Sequence, residues 1–313
     1  MWSWGMWIAL VVACFFHKIS AALMTLYLAY IFLYHGNRAL STHVYPTYFR
    51  SWSGWRKAAE YFPAELHKSA DLDPTGNYLF GCHPHGVTSW SSWLAFATEG
   101  TGFAKQFPGL TMHVLTLTTN LRMPFMREYL LLHGLSDVSR QTCTKILKSG
   151  KGQSIMLAIG GATESLYAGP GTMDLVLRRR KGFVRVALQT GASLVPVINF
   201  GENDVYSTIR GDPNSGLRSF QIWMERKVGV TIPIFWGQGV AIPFGFLPKR
   251  CPINTVVGAP IPVSRYDGDI RSSEGLQQVD HYHKKYIAAL TELWQANKPK
   301  YAKQGTADLN LVE

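Results

Sequence analysis

The stretch Tyr78-Leu79-Phe80-Gly81-Cys82-His83-Pro84-His85-Gly86 sets two histidines just past an apolar run, in a turn stiffened by Pro84 and freed by Gly86. Neutral imidazole is the side chain suited to taking a proton at physiological pH, and an alcohol attacking a thioester must give one up as it attacks. His83 and His85 are therefore both candidates for a general base. The sequence separates them poorly, with His85 preferred. Other chemistries fit less well. His-x-His without nearby Cys or carboxylate ligands is a poor zinc signature, so no metal is expected. Two histidines separated by proline are hard to pack away as core fillers. Cys82 as a nucleophile would need an activating imidazole, yet strand alternation points it away from His83. A serine hydrolase is disfavoured because the chain has no G-x-S-x-G elbow.

Further polar residues sit where other apolar runs end. Gly160-Gly161-Ala162-Thr163-Glu164-Ser165 follows one of them. Glu164 is the candidate to hold the imidazole tautomer, against the plain alternative of a helix cap or a solvated carboxylate. Gly160 and Gly161 allow backbone N–H groups to approach an anion or oxyanion closely. In Arg178-Arg179-Arg180-Lys181-Gly182, positive side chains open a helix whose free amides suit phosphates. The competing reading is a basic face on anionic headgroups. Glu202 and Asn203 follow another apolar run, where they either orient a site or cap a turn.

These residues need a scaffold. Short apolar runs at Tyr78 to Cys82, Met112 to Thr118, Ser154 to Ile159, Leu194 to Phe200 and Asn254 to Val257 read as strands. Between them, Pro124 to His133 reads as a helix ending at Gly134. Ser139 caps a second over Gln141 to Lys148, and a third, Arg180 to Thr190, stops at Gly191. Alternation of strands and helices predicts one α/β domain with a largely parallel sheet flanked by helices. In such sheets ligands bind at the carboxyl edge of the strands. A last helix, about Gly275 to Asn297, aligns Leu276, Val279, Tyr282, Tyr286, Leu290 and Leu293 in one stripe, which reads as packing rather than function. Ile232 to Leu247 is apolar but broken by Pro and Gly; it suits a bilayer surface, the lining of an acyl cavity or a buried loop.

Composition bounds the setting. Apolar residues are 47% of 313, enough for one large core or for a core plus a membrane anchor. Between Trp2 and Tyr34 the one charged side chain is Lys18, flanked by apolar runs of about 15 residues each, below the ~20 needed to cross hydrocarbon. A helical hairpin turning at His17 and Lys18 is preferred over one tilted helix, because mid-membrane lysine costs several kcal/mol. A cleaved signal peptide is disfavoured by an n-region without a basic residue. Arg38, Arg50, Arg56, Lys57 and Lys68 then place the body in the cytosol. The expected organisation is an anchor over 1–36, a catalytic domain over 37–300 and a loose tail over 301–313.

Lys plus Arg total 31 against 20 Asp plus Glu, a surplus that suits anionic lipid or a polyanionic thioester. Nucleic acid is not expected, since no recognition motif accompanies the dispersed charge. Cys14, Cys82, Cys143 and Cys251 show no disulfide or metal spacing.

From Tyr45 to Val263 the sequence resembles the diacylglycerol acyltransferase type 2 family, which includes monoacylglycerol and wax-alcohol acyltransferases. The matching blocks are YLFGCHPHG, NLRMPFMREYLLLHGLSDVSR, GGATESLYAGPG, RRRKGFVRVALQTGASLVPVINFGENDVY and PINTVVGAPIPV. The resemblance implies acyl-CoA as co-substrate with no other cofactor, a neutral lipid acceptor and a catalytic His-Pro-His-Gly segment that includes Pro84 and Gly86. It also implies an endoplasmic reticulum or lipid-droplet membrane. Arg122 and Arg140 fall within the matched blocks as candidates to contact the donor or brace the site. The order of blocks is similar to that of glycerolipid acyltransferases, whose His is followed five positions later by Asp. Here Thr88 and Trp90 stand there, so the usual orienting carboxylate is absent. Acceptor choice and homo-oligomerisation stay open.

Overall fold

The computed structural model describes residues 4–34, 47–210, 215–228, 231–239 and 244–312. Seven strands form one sheet: β1 (Ala64–Lys68), β2 (Tyr78–His83), β3 (Thr111–Thr116), β4 (Ser136–Asp137), β5 (Gln153–Ala158), β6 (Ser193–Phe200) and β7 (Ile253–Val257). Their spatial order is β1-β7-β6-β2-β5-β3-β4, and every neighbouring pair is parallel except β7 with β6. All five strands read from the sequence are present. The two it did not give are β1, whose Ala-Glu-Leu-His-Lys buries only Leu66 at the sheet edge, and the two-residue β4.

The central β2 is buried at every position because both faces of the sheet are covered. Its residues alternate. Leu79 joins one core with the helices Arg140–Leu147, Gly182–Thr190 and Ser273–Tyr301. Phe80 and Cys82 join the other, built from Phe96, Phe103, Met112 and Leu130. Local signals set the helix ends as expected: Ser139 Oγ accepts the Thr142 N–H at 3.3 Å, and Gly191 takes φ 76° after Thr190. Along Ser273–Tyr301 the expected stripe is buried except Leu276, which faces solvent.

The tail is not loose. Asn310 and Leu311 pair in parallel with Asp174 and Leu175, and the N–H groups of Asn310 and Val312 donate to Met173 O at 2.9 Å and Leu175 O at 3.0 Å. Backbone pairing and the packing of Leu309 and Leu311 against the core hold it down.

At the other end, helices Trp4–Ala13 and Lys18–Ala29 are separated by a short turn and an extended His17 (φ −129°, ψ 136°). That break rules out one continuous tilted helix. Among the described residues no helix is long and apolar enough to cross a membrane. The segment exposes Phe15, Phe16, Ile19, Leu23, Leu26 and Leu33. It docks on the body where Tyr27 Oη donates to Glu128 and accepts the Phe125 N–H at 3.2 Å. The anchor boundary at 36, with Trp2 and Arg38, lies outside the described residues. Arg50 is not a surface cation: it is buried and donates to His133 O at 2.8 Å and Phe96 O at 2.6 Å. Within Ile232 to Leu247, Ile234–Trp236 pairs antiparallel with Ser207–Ile209, and Phe244, Phe246 and Leu247 are exposed; 240–243 lie outside the described residues.

Candidate active site

Because β6, β2, β5, β3 and β4 run parallel, their carboxyl ends lie along one edge. Every chain segment singled out from the sequence, apart from the basic run before Gly182, leaves from that edge: the His-Pro-His-Gly turn after β2, Gly160 to Glu164 after β5, Arg122 after β3, Arg140 after β4, and Glu202 with Asn203 after β6.

The two histidines meet different environments. His83 is the last residue of β2 and has no exposed surface; its Nε2 lies 3.1 Å from Tyr286 Oη, and its Nδ1 is buried without a partner. Burial pushes it down to about 3, so it stays neutral. His85 is half-buried. Its Nδ1 lies 2.9 Å from the carbonyl of Gly86, which can only accept, so the proton sits on Nδ1 and the lone pair on Nε2. Burial also holds His85 below its ordinary value, against the pull of the Gly86 carbonyl. Cys82 points into the opposite core, where burial raises its thiol pKa, so it is not an activated nucleophile.

Two buried carboxylates hold the turn by its main chain. Glu164 Oε1 accepts the His85 N–H at 2.6 Å and Oε2 the Val176 N–H at 2.9 Å. It therefore braces the backbone of His85, in place of the expected contact with the ring. Glu202 accepts the Trp90 N–H at 3.1 Å and the Ser91 N–H at 2.7 Å, so it serves as a cap for the helical turn that begins there. Burial raises each carboxyl to about 7, opposed by those donors. Glycine makes room for both. A Cβ on Gly86, which has φ 63°, would lie 2.4 Å from Glu202 Oε1, and one on Gly160 would lie 2.0 Å from Glu164 Oε2. Asn199 adds a contact from its Nδ2 to Pro84 O at 3.5 Å.

The remaining candidates divide. Arg180 Nη2 donates to Thr163 Oγ1 at 2.7 Å and its charge lowers Glu164, so it reaches the site. Lys181 instead pairs with Asp280 at 2.6 Å on the outer surface, and Gly182 begins the helix exposed. Asn203 turns its amide to Thr172 O at 2.9 Å, as a brace for the neighbouring turn. Arg122 and Arg140 are exposed and follow β3 and β4, strands that lie roughly 10 and 14 Å from β2 at the usual spacing of about 4.8 Å. Tyr286 is the residue that sequence reading assigned to packing alone. Its stripe position is real, and only its contact with His83 reveals more.

Comparison with known proteins bears on this arrangement. A sequence profile described as diacylglycerol acyltransferase matches residues 13–312. The chain belongs to that family. It is 46% identical over 266 residues to diacylglycerol O-acyltransferase 2A of Umbelopsis ramanniana, covering 84% of this chain and 74% of the relative. It is 39% identical over 261 residues to acyl-CoA wax alcohol acyltransferase 1 of Homo sapiens, covering 83% of this chain and 78% of that protein. Among solved structures it is similar to the 1-acyl-sn-glycerophosphate acyltransferase PlsC of Thermotoga maritima, with a TM-score of 0.41, 14% identity, and coverage of 87% and 98% of the two chains. The match spans the His-Pro-His-Gly turn of this acyltransferase-family chain and the two carboxylates, Glu164 and Glu202, that hold its main chain.

Proposed function

We propose that this protein transfers a fatty acyl group from acyl-CoA to the free hydroxyl of diacylglycerol, with His85 as the general base. Family membership and the 46% identical diacylglycerol acyltransferase support the reaction. The observation that carries the residue assignment is the proton inventory at His85: Nδ1–H is held by the Gly86 carbonyl, so Nε2 carries the lone pair in a residue that keeps some exposed surface, while His83 is sealed.

Donor and acceptor bind together at the carboxyl edge. Nε2 of His85 takes the hydroxyl proton as the oxygen attacks the thioester carbonyl carbon. Backbone donors around Gly86 and Gly160 stabilise the oxyanion. The carbon–sulfur bond then breaks, and the imidazolium returns its proton to the coenzyme A thiolate. The products are triacylglycerol and coenzyme A. Arg180 is suited to the donor's phosphates near the site, and Arg122 and Arg140 to the more distant part of the same long molecule.

The exposed apolar N-terminal segment anchors the enzyme in the endoplasmic reticulum membrane or on lipid droplets, with the catalytic body cytosolic. The wax-alcohol relative motivates long-chain alcohols as rival acceptors, with monoacylglycerol a third. The test is competition: microsomes carrying the enzyme receive labelled acyl-CoA with the three acceptors at equal mole fraction, followed by lipid separation. Triacylglycerol as the main product supports the reading. Predominant wax ester or diacylglycerol replaces the acceptor, and no transfer to any of them overturns the function.

A further inference from the structure

The glycerolipid-acyltransferase pattern orients its histidine with an aspartate five residues on, and this chain has Thr88 and Trp90 at those positions. We infer that Tyr286, contributed by the C-terminal helix, is the positioning residue that fixes the ring and tautomer of His83. The inference rests on the reading of the His-Pro-His-Gly turn as catalytic.

Three observations converge. Tyr286 is fully buried, held edge-on against Phe183 at a ring-centroid distance of 4.8 Å, so its hydroxyl has a fixed position. That hydroxyl donates to the Gly81 carbonyl at 3.0 Å and lies 3.1 Å from His83 Nε2. Finally, a Cβ on Gly81 would lie 2.2 Å from Tyr286 Oη, so the strand leaves out a side chain where the hydroxyl enters.

Hydrogen accounting then assigns the protons. A phenol has one O–H, and the carbonyl of Gly81 can only accept it. The contact with His83 is consequently a bond from Nε2–H to the tyrosine lone pair, and the Nδ1 of His83 carries no proton. His83 is thereby locked neutral, with Nε2 tied through the Tyr286 hydroxyl to the Gly81 carbonyl and Nδ1 left as a buried lone pair without a partner. The two histidines hold opposite tautomers: His83 is protonated at Nε2 and His85 at Nδ1. The bond that His83 donates to Tyr286 keeps the first ring from flipping and so fixes the residue from which the His-Pro-His-Gly turn leaves the strand. A phenylalanine at 286 would fill the same volume while leaving Nε2–H buried without an acceptor.

The test uses the full-length enzyme in detergent, with histidine side chains labelled with nitrogen-15 and His83 assigned by its loss in His83→Asn. In wild type near neutral pH, long-range proton–nitrogen correlation is expected to show His83 protonated at Nε2. A His83 protonated at Nδ1 overturns the inference without any variant, which keeps it testable if Tyr286→Phe fails to fold. In Tyr286→Phe the His83 pattern is expected to become a mixture of tautomers. Its kcat should fall by about tenfold or more, with KM for acyl-CoA and diacylglycerol within about twofold. An unchanged kcat, or a loss of kcat with the His83 tautomer unaltered, sinks the proposal. Activity of His85→Ala, measured in parallel, reports separately on the catalytic turn: if it stays at the wild-type level that reading fails, whatever the His83 spectrum shows.

Discussion

Glu164 grips the main chain of His85, accepting its N–H at 2.6 Å, and makes no hydrogen bond to its imidazole. A carboxylate placed this way fixes where the ring starts without setting which nitrogen is protonated. Its other oxygen takes the Val176 N–H at 2.9 Å, so one side chain ties the His-Pro-His-Gly turn to the segment after Asp174 and Leu175. Replacement by glutamine keeps one acceptor and turns an NH₂ toward a backbone donor. Glu164→Gln should lower kcat by roughly tenfold to a hundredfold, the cost of a lost charge-assisted bond of about 1.5–3 kcal/mol. Single-turnover assays on purified enzyme check this; retention of most activity removes the bracing role.

His85→Ala should cost at least about a hundredfold in kcat, the low end for a general base, with a smaller loss of thermal stability than His83→Ala because His85, unlike His83, keeps some exposed surface. His83→Ala should instead lower Tm, because it empties a fully buried site and removes the donor to the Tyr286 oxygen. Paired melting and rate measurements separate the two.

The pH dependence has a definite sign. His83 is depressed to about 3 and His85 is lowered, so both stay unprotonated on mild acidification, and transfer should not fall off near pH 6.5 as it would for an ordinary imidazole. The stability linked to His83 is present above its unfolded value near 6.5 and is lost as pH falls toward 3. Glu202 behaves oppositely. Its folded value is raised from 4.5 to about 7, so its contribution is full below 4.5 and is lost as pH rises to about 7. Relative to Glu202→Gln, wild type should therefore lose up to about 3 kcal/mol of stability across that window, as measured by denaturant titration at each pH.

Arg180 and Lys181 should part company. Arg180→Glu places a negative charge beside Thr163 and Glu164 and should raise the KM for acyl-CoA. Lys181→Glu breaks an exposed pair with Asp280, worth about 0–1 kcal/mol, and should leave that KM within about twofold. Equal effects of the two would return the run to a shared role.

Deletion of residues 308–313 removes the strand that pairs with Asp174 and Leu175, next to the Val176 N–H that Glu164 accepts. The truncated enzyme should melt earlier and turn over more slowly, with membrane attachment unchanged in flotation assays. Unaltered kcat would mean that the Glu164 brace holds without the tail.

Local chemistry in the sequence determined the strands that bear the site, the Ser139 cap, the Gly191 stop and the grouping of candidates at strand ends, because backbone propensity, apolar period and turn residues act over a few positions. It also narrowed the proposed base to two candidate histidines. Tertiary structure decided the rest, because a proton inventory depends on what lies across space. Glu164 stands 79 residues from His85, and Tyr286 stands 203 from His83. Tyrosine in an apolar stripe looks like packing until its hydroxyl meets a glycine gap in a neighbouring strand. Lys181 likewise reads as a phosphate ligand or headgroup contact, and Asn203 as a site-orienting or turn-capping residue, until folding gives them the protein partners Asp280 and Thr172. Which nitrogen of each imidazole carries the proton was settled by two carbonyl groups, and carbonyls are present at every position of every sequence.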